Sequence, residues 1–536
     1  MKSSGQKGTE TDAKKGMTRR KLLKYMAASG PLLKAGMGLK ASASEPGPTT
    51  NVILFLTDQE RKIQHFPADW ESQNLPGLSR LKQNGVSFEN AFTNACMCSP
   101  ARSTLMSGYF PAQHGVKYTL EDSISGPFQI QLPVDLKNIA TVMSAAGFNV
   151  VYKGKWHCSK PPGDDGFVPA DLAKYGFQGW DPPDGGANQM PSQGGGGGAN
   201  NDGRYMVGAP SGQEGVVEYL TSPGLKQPFF LVVSLVNPHD VLASPRTWNR
   251  PYSPADDPEG FGYDESVLVG NIGIPATIIE NLSTKPTVQS QFLTITNLGL
   301  GPLKTPQDQQ DHLNFYGNLM KASDNYLVQM LDILEDAGLL DNTLIIRTAD
   351  HGEMGLTHNG QRQKNFNFYE ESLRVPLVYS NPNLYKQSFK SNALVSHVDF
   401  LPTIASLFNA PSSARADWQG IDYSELVLKP SENSVQDYTV FTYDDFQSGQ
   451  PAPGPYPTTP LNRVVSREDR YKLAQYYDIA GVFPSQWEMY DRLKDPLETE
   501  NLAYEGFQRN NEQQRQYERL QAKLQLVKAT RLQPLG

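Results

Sequence analysis

Two residue pairs, Asp58-Gln59 and Asp350-His351, each close a short apolar run, NVILFLTDQ and TLIIRTADHG. Carboxylates joined by an amide oxygen suit a hard divalent cation such as Ca²⁺ or Mg²⁺, and the imidazole admits Mn²⁺. One such acid alone reads as a turn residue or a helix cap; its recurrence at two strand ends points to a metal. A matching set of cations lies in or beside the polar clusters: Arg102, Lys155, His157, His239 and Lys364. GKWH follows the apolar FNVVY, and NPHD follows PFFLVVSLV. Cations converging around a metal form a pocket for a tetrahedral oxyanion.

A third stretch, NACMCSPARSTLMSG from Asn94 to Gly108, holds Cys96 and Cys98. With Cys158 as the only other cysteine, the chain builds neither a disulfide framework nor a tetrahedral zinc site. Ser99 fits a helix N-cap and Pro100 the first turn, which puts Cys98 at the positive end of a helix. An anion, or a thiolate, is favoured there. Cys96 reads as a small buried neighbour. From these residues alone the chemistry is a cysteine nucleophile, or a derivative of it, beside a metal and facing an oxyanion ester.

The runs that carry these clusters are apolar on both faces, as buried parallel strands are. Between them lie helical patterns, the clearest being SDNYLVQMLDILEDAG, where Leu327, Met330, Leu331 and Leu334 form one stripe and Gly338 a stop. Alternating strand and helix predicts a doubly wound α/β sheet, large, mostly parallel and flanked by helices. Ligands bind at the carboxyl ends of such strands, where all four clusters fall. Residues 181–215, with GGGGG, and the proline-rich 241–310 read as long insertions that shape a substrate mouth. From 411 to 536, short aromatic segments between turns predict a small α+β subdomain with an antiparallel sheet, ended by a helix from about 505 to 531. The catalytic domain is then 50–410.

At 536 residues and 38% hydrophobic content the chain can bury a large core. Its net charge of −8 and the lack of a long basic run after residue 40 argue against a nucleic-acid partner. Residues 1–44 differ in character. Thr18-Arg19-Arg20-Lys21-Leu22-Leu23-Lys24, a weakly apolar segment and Ala41-Ser42-Ala43 resemble a twin-arginine export signal with its cleavage site. That predicts export of the folded protein by the twin-arginine machinery and a periplasmic or secreted location. No later stretch reaches the roughly 20 apolar residues of a membrane span.

Cys98-Ser99-Pro100-Ala101-Arg102 followed by STLMSGYFPAQHG resembles the signature of the type I sulfatases, members of the alkaline-phosphatase-like superfamily. In that family the cysteine of C-x-P-x-R becomes formylglycine (3-oxoalanine). NVILFLTDQ, GKWH, RTADHGEMG, QKNFNFYEESLRVPLV, VSHVDFLPTIASLF and WEMYDRLKDPLETENL are similar to further family segments, so the likeness spans about residues 50 to 503. It implies an alkaline-phosphatase-like fold and hydrolysis of a small-molecule or carbohydrate sulfate ester, after a formylglycine-generating enzyme has acted. Asp58, Gln59, Asp350 and His351 would hold the metal together with modified Cys98, calcium first, with magnesium or manganese as alternatives. The hydrated aldehyde of Cys98 would attack sulfur, Arg102 would hold its oxygen and His157 would serve as the base that releases sulfate. Lys155, Lys364 and His239 would bind the sulfate oxygens, with His239 or Lys364 assisting departure of the alcohol.

Two departures keep other readings open. Many sulfatases carry a second acid where Gln59 stands and an asparagine where His351 stands. The Asp-Gln and Asp-His pairs resemble the branch that includes choline sulfatases and phosphonate monoester hydrolases, so phosphonate monoester or phosphodiester hydrolysis is the alternative. Lys364 also lies five residues before Tyr369, where some members place it four before. A third reading, a non-catalytic binder of sulfated glycans, suffers from having no plainly missing site residue.

Overall fold

In a computed structural model of the chain, the described residues are 51–121, 129–162, 166–185, 202–208, 213–251, 253, 260–431, 433–446, 462–468, 470–478 and 481–535. The export signal expected within 1–44 lies outside them.

Seven strands make the principal sheet: β1 (Asn51–Asp58), β2 (Gly85–Phe92), β3 (Asn149–Gly154), β4 (Phe229–Pro238), β5 (Thr343–Ala349), β6 (Leu377–Ser380) and β7 (Phe389–Ser396). Their order is β3-β4-β1-β5-β6-β2-β7, and only β6 runs against its neighbours. The sheet is therefore mixed and mostly parallel; the apolar runs predicted its parallel strands, and the antiparallel β6 comes in addition. Every residue of β1 is buried, because its side chains alternate between two cores. Val52, Leu54 and Leu56 face one, Ile53 and Phe55 the other.

Helices cover both faces. On the Val52 side lie α1 (Cys98–Ser107), α2 (Ile139–Ala145) and, later in the chain, a helix at His397–Leu407. On the Ile53 side lies the long helix Pro306–Asp336, which contains the predicted stripe with all four residues buried. Its start is set by Thr305, whose side chain accepts the Asp308 N–H, and by Pro306 at the first position. In chain order α3 is Thr287–Leu300, α4 Pro306–Asp336, α5 His397–Leu407 and α6 Asn511–Thr530. The helix α3 differs from the expectation of an irregular stretch at 241–310. It is held by tertiary burial of Val288 and Phe292 rather than by strong periodicity.

A second sheet, ordered β11-β10-β9-β8, joins β8 (Thr439–Tyr443), β9 (Asn462–Arg467), β10 (Tyr471–Tyr477) and β11 (Gln486–Asp491), all antiparallel. Phe441, Tyr443, Ala474, Tyr476 and Tyr490 from it share one apolar cluster with Cys96, Met97, Phe366 and Phe368. The small sheet thus backs both the segment before Cys98 and the segment after Lys364. The helix α6 starts later than expected, at Asn511, where Asn510 caps it. Residues from Thr50 onward form one compact unit. Among the described residues no helix is long and apolar enough to cross a membrane.

Candidate active site

The four strands β3, β4, β1 and β5 are neighbours and parallel, so their carboxyl ends line up along one edge. Lys155 and His157 follow β3, His239 follows β4, Asp58 ends β1 with Gln59 after it, and Asp350 and His351 follow β5. Register fixes the alignment: Asp58 pairs with Pro238, Thr57 with Ala349 and Gly154 with Ser234. The glycine of GKWH is required here. It has φ +104, and a Cβ would lie 1.9 Å from the Ser234 carbonyl oxygen.

Above this edge, α1 delivers Cys98 at its first residue and Arg102 one turn later, on the same helix face. One ligand-capable atom each of Asp58, Cys98, Asp350 and His351 all lie within 4.8 Å of one another, fully buried. The Cys98 Sγ is 3.2 Å from His351 Nε2 and 3.6 Å from Asp58 Oδ1. His351 Nδ1 is 3.0 Å from the Gly352 carbonyl oxygen. A carbonyl only accepts, so Nδ1 carries the proton and Nε2 presents its lone pair to the cluster. Burial lowers the pKa of His351 and favours this neutral form, against the pull of Asp350.

Arg102 is the strut between the two acids. Its Nε donates to Asp350 Oδ2 at 2.9 Å and its Nη2 to Asp58 Oδ2 at 3.1 Å. Its Nη1 donates to the Lys155 carbonyl and to Ser234 Oγ, both at 2.8 Å. One buried guanidinium therefore ties together β1, β3, β4 and β5, a planar fork's work that lysine would not reproduce. Beside the expected oxygen clamp at modified Cys98, Arg102 thus has a second task, as the guanidinium donates to both carboxylates. Lys155 Nζ lies 2.5 Å from Asp58 Oδ2. Burial would raise the Asp58 carboxyl, yet Lys155, His239, Arg102 and His351 hold it well below the usual range.

The remaining cations ring the same cluster. Lys364 Nζ donates to Gln59 Oε1 at 2.5 Å, and the Gln59 amide in turn donates to Glu353 Oε2 at 2.5 Å. Gln59 is thereby locked with its oxygen toward Lys364. His157 Nε2 is 2.7 Å from the Leu120 carbonyl oxygen, which leaves the lone pair on Nδ1, a buried atom with no partner. The Nδ1 of His239 is likewise buried and unpartnered. Burial, then Lys155, pushes both imidazoles well below the usual histidine value, so both are neutral. The predicted strand-end residues therefore share this one edge, with Cys98 and Arg102 brought to it by α1 and Lys364 by the segment before Tyr369.

Two local expectations change. The cap of α1 is Met97, not Ser99; Ser99 sits inside the helix and accepts the Leu120 N–H at 3.0 Å. The Cys98 thiol is also raised rather than lowered: burial, then Asp58, pushes it up to about 11, against Lys155 and Lys364. Cys96 is buried as expected, and the three cysteines form no disulfide. Residues that the sequence did not single out are Glu353, Ser234, Asp184 and Asp202. Glu353, three after Asp350 in ADHGEMG, accepts from Gln59, Gly355 N and Gln363 N. An acid so close to a strand-end pair was the available signal. Asp184 and Asp202 lie in the Gly- and Pro-rich insertion and give no local signal.

Comparison with known proteins bears on this geometry. The family profile described as Sulfatase matches residues 50–410, and the one described as N-sulphoglucosamine sulphohydrolase, C-terminal, matches 359–529. An ulvan-active sulfatase of Formosa agariphila is 25% identical over 494 residues, covering 89% of this chain and 82% of its own. Among solved structures, a 2-O GAG sulfatase superposes with a TM-score of 0.67 at 20% identity, covering 90% of this chain and 92% of its own. A phosphonate monoester hydrolase of Agrobacterium radiobacter superposes with a TM-score of 0.60 at 20% identity, covering 90% and 96%. At these identities the structural likeness speaks to the fold alone.

Proposed function

The chain belongs to the sulfatase family, a sulfuric ester hydrolase by class, and on that premise we propose that it hydrolyses a sulfated carbohydrate with formylglycine made from Cys98. The observation that carries this reading is the buried set of Asp58, Cys98, Asp350 and His351 within 4.8 Å, ringed by Lys155, Lys364, His157 and His239. The family implies a divalent metal, and the donors fit one: two carboxylates and a bare imidazole nitrogen converge. We assign Asp58, Asp350 and His351 to that ion, with Gln59 at its edge, and calcium as the ion, on the strength of the hard oxygen donors. Formylglycine at position 98 would supply a hydroxyl nucleophile and a way to release sulfate, and an ion held by Asp58, Asp350 and His351 would supply positive charge that makes that hydroxyl more acidic.

This chain's own residues do the rest. Arg102 keeps Asp58 and Asp350 at a fixed separation without further reorganisation. Lys155 and Lys364 present ammonium groups to the oxyanion oxygens. His157, whose tautomer is set by the Leu120 carbonyl, offers Nδ1 as the base. His239 is the neutral donor for the departing alcohol oxygen, Lys364 its partner in that task. The carbohydrate class rests on the relative from Formosa agariphila, a sulfatase active on ulvan. The twin-arginine motif at 18–24 supports export to the periplasm or beyond.

A second reading, phosphonate monoester or phosphodiester hydrolysis, is favoured by Gln59 and His351 at the strand ends and by the fold shared with a phosphonate monoester hydrolase. The deciding experiment co-expresses the chain with a formylglycine-generating enzyme. Mass spectrometry of the Cys98 peptide is paired with turnover of an aryl sulfate and an aryl phosphonate monoester. Faster aryl sulfate hydrolysis with conversion of Cys98 is expected. Full activity with an intact thiol overturns the mechanism, and a clear preference for the phosphonate overturns the substrate class.

A further inference from the structure

The mechanism above leaves two fully buried carboxylates unused, and they occupy equivalent places. Asp184 accepts the Trp156 N–H on Oδ1 and the His157 N–H on Oδ2, both at 2.7 Å. Asp202 accepts the Val236 N–H on Oδ1 at 2.6 Å and the Asn237 N–H on Oδ2 at 3.0 Å. Each carboxylate is 2% exposed. Each therefore grips two consecutive backbone amides at the carboxyl end of a parallel strand, β3 in one case and β4 in the other. One gripped amide is that of His157 itself, and the other pair ends at Asn237, two residues before His239. Both acids come from the 181–215 stretch.

The grip has a conformational reason at His157, whose φ is +52. A non-glycine residue in the left-handed region is held there only if its surroundings over-determine it. Two charge-assisted bonds from one carboxylate supply that determination. At β4, Asn237 is further fixed by Ser323 Oγ, which donates to its carbonyl at 3.0 Å. His239 then opens a short 3₁₀ turn. In both places the imidazole that follows has a buried, unpartnered Nδ1, so its direction is set by backbone geometry on at least one side.

We propose that Asp184 and Asp202 are positioning residues, which fix the backbone leading into His157 and His239 and so aim the two imidazoles at the reacting ester. Asp184 and Asp202 are then the clasp that shapes both catalytic turns. This inference rests on the roles assigned to His157 and His239 above.

Asparagine is nearly isosteric with aspartate but offers one acceptor oxygen and turns an NH₂ toward the second N–H. Asp184→Asn and Asp202→Asn should each lower kcat by about 10- to 100-fold, the usual cost of a misplacement near 1 Å, with KM changed by less than about threefold. Asp171→Asn is the control, since Asp171 is buried and accepts the Val168 N–H at 2.9 Å but adjoins no site residue; its kcat should stay within about twofold. The assay uses whichever aryl ester the wild-type enzyme turns over faster, normalised to converted Cys98. It therefore survives a change of preferred ester.

The discriminating measurement is the double variant. If Asp184 acts through His157, adding Asp184→Asn to His157→Ala costs less than about a further twofold, and likewise for Asp202→Asn on His239→Ala. Multiplying losses, or an equal loss in Asp171→Asn, overturn the proposal. Should Asp184→Asn fail to fold, Asp184→Glu keeps both acceptors but displaces them by one methylene. A soluble Asp184→Glu with wild-type kcat overturns the proposal, and a soluble one with reduced kcat supports it. A wild-type enzyme inert toward both esters overturns this inference together with the function it rests on.

Discussion

Replacing Arg102 by methionine isolates the strut from the chemistry, provided both proteins are made without the converting enzyme and so keep the Cys98 thiol. The substitution removes the positive charge shared by Asp58 and Asp350 and keeps much of the apolar stem. Breaking a fully buried pair from one side costs about 3–5 kcal/mol. The lower end applies here, because Asp350 keeps N–H donors from His351 at 2.8 Å and Gln59 at 3.0 Å, while Asp58 keeps Lys155. Unfolding entropy of about 2.1 cal/mol/K per residue, over the compact unit Thr50–Gly536, amounts to about 1 kcal/mol/K. The expected drop in Tm is therefore about 3 °C in chelator. Added Ca²⁺ should raise the Tm of Arg102→Met more than that of the wild type, since it returns positive charge to the same carboxylates. Differential scanning calorimetry of both proteins, with EDTA and with calcium, reads all four values. A variant within about 1 °C of wild type in EDTA would refute the idea that Arg102 holds the acids together; equal calcium shifts would refute their role as the ion's ligands.

Cys98→Ala should lower turnover by at least about a thousandfold while the circular dichroism spectrum is unchanged; retained activity in a steady-state assay excludes a Cys98-derived nucleophile. Gly154→Ala should cost about 3 kcal/mol or more, visible as loss of soluble protein, since its Cβ meets the Ser234 carbonyl at 1.9 Å; normal yield and Tm would be inconsistent with the close β3–β4 approach. Glu370 is held well below the usual glutamate range, burial being outweighed by Arg467, Arg492 and Lys472. A depressed folded value stabilises above the unfolded pKa near 4.5 and is lost as pH falls through the folded one. The Tm gap between wild type and Glu370→Gln should accordingly be full at pH 6 and shrink below about pH 4.5, and parallel Tm-against-pH curves would contradict it.

How much was legible in the sequence follows from how far each signal travels along the chain. Strands β1, β4 and β5 are buried on both faces, so they read as unbroken apolar runs whose polar ends stand out, and the site residues at those ends were visible with them. Strands β2 and β7 alternate or mix polar residues, and β6 runs antiparallel between β5 and β2, which no apolar run announces. The misplaced cap at Ser99 shows a local rule losing to a tertiary partner: its hydroxyl satisfies Leu120 N, 21 residues away, instead of its own helix. The Cys98 thiol shows the same competition: two lysines favour the anion, but burial and Asp58, 40 residues away, push the thiol up to about 11. The clasp acids were hidden most deeply, because Asp184 bonds across 27 residues and Asp202 across 34, out of a segment whose composition reads as loop. What the sequence exposed was therefore the chemistry at the strand ends, and what it concealed was the set of long-range backbone contacts that hold that chemistry in place.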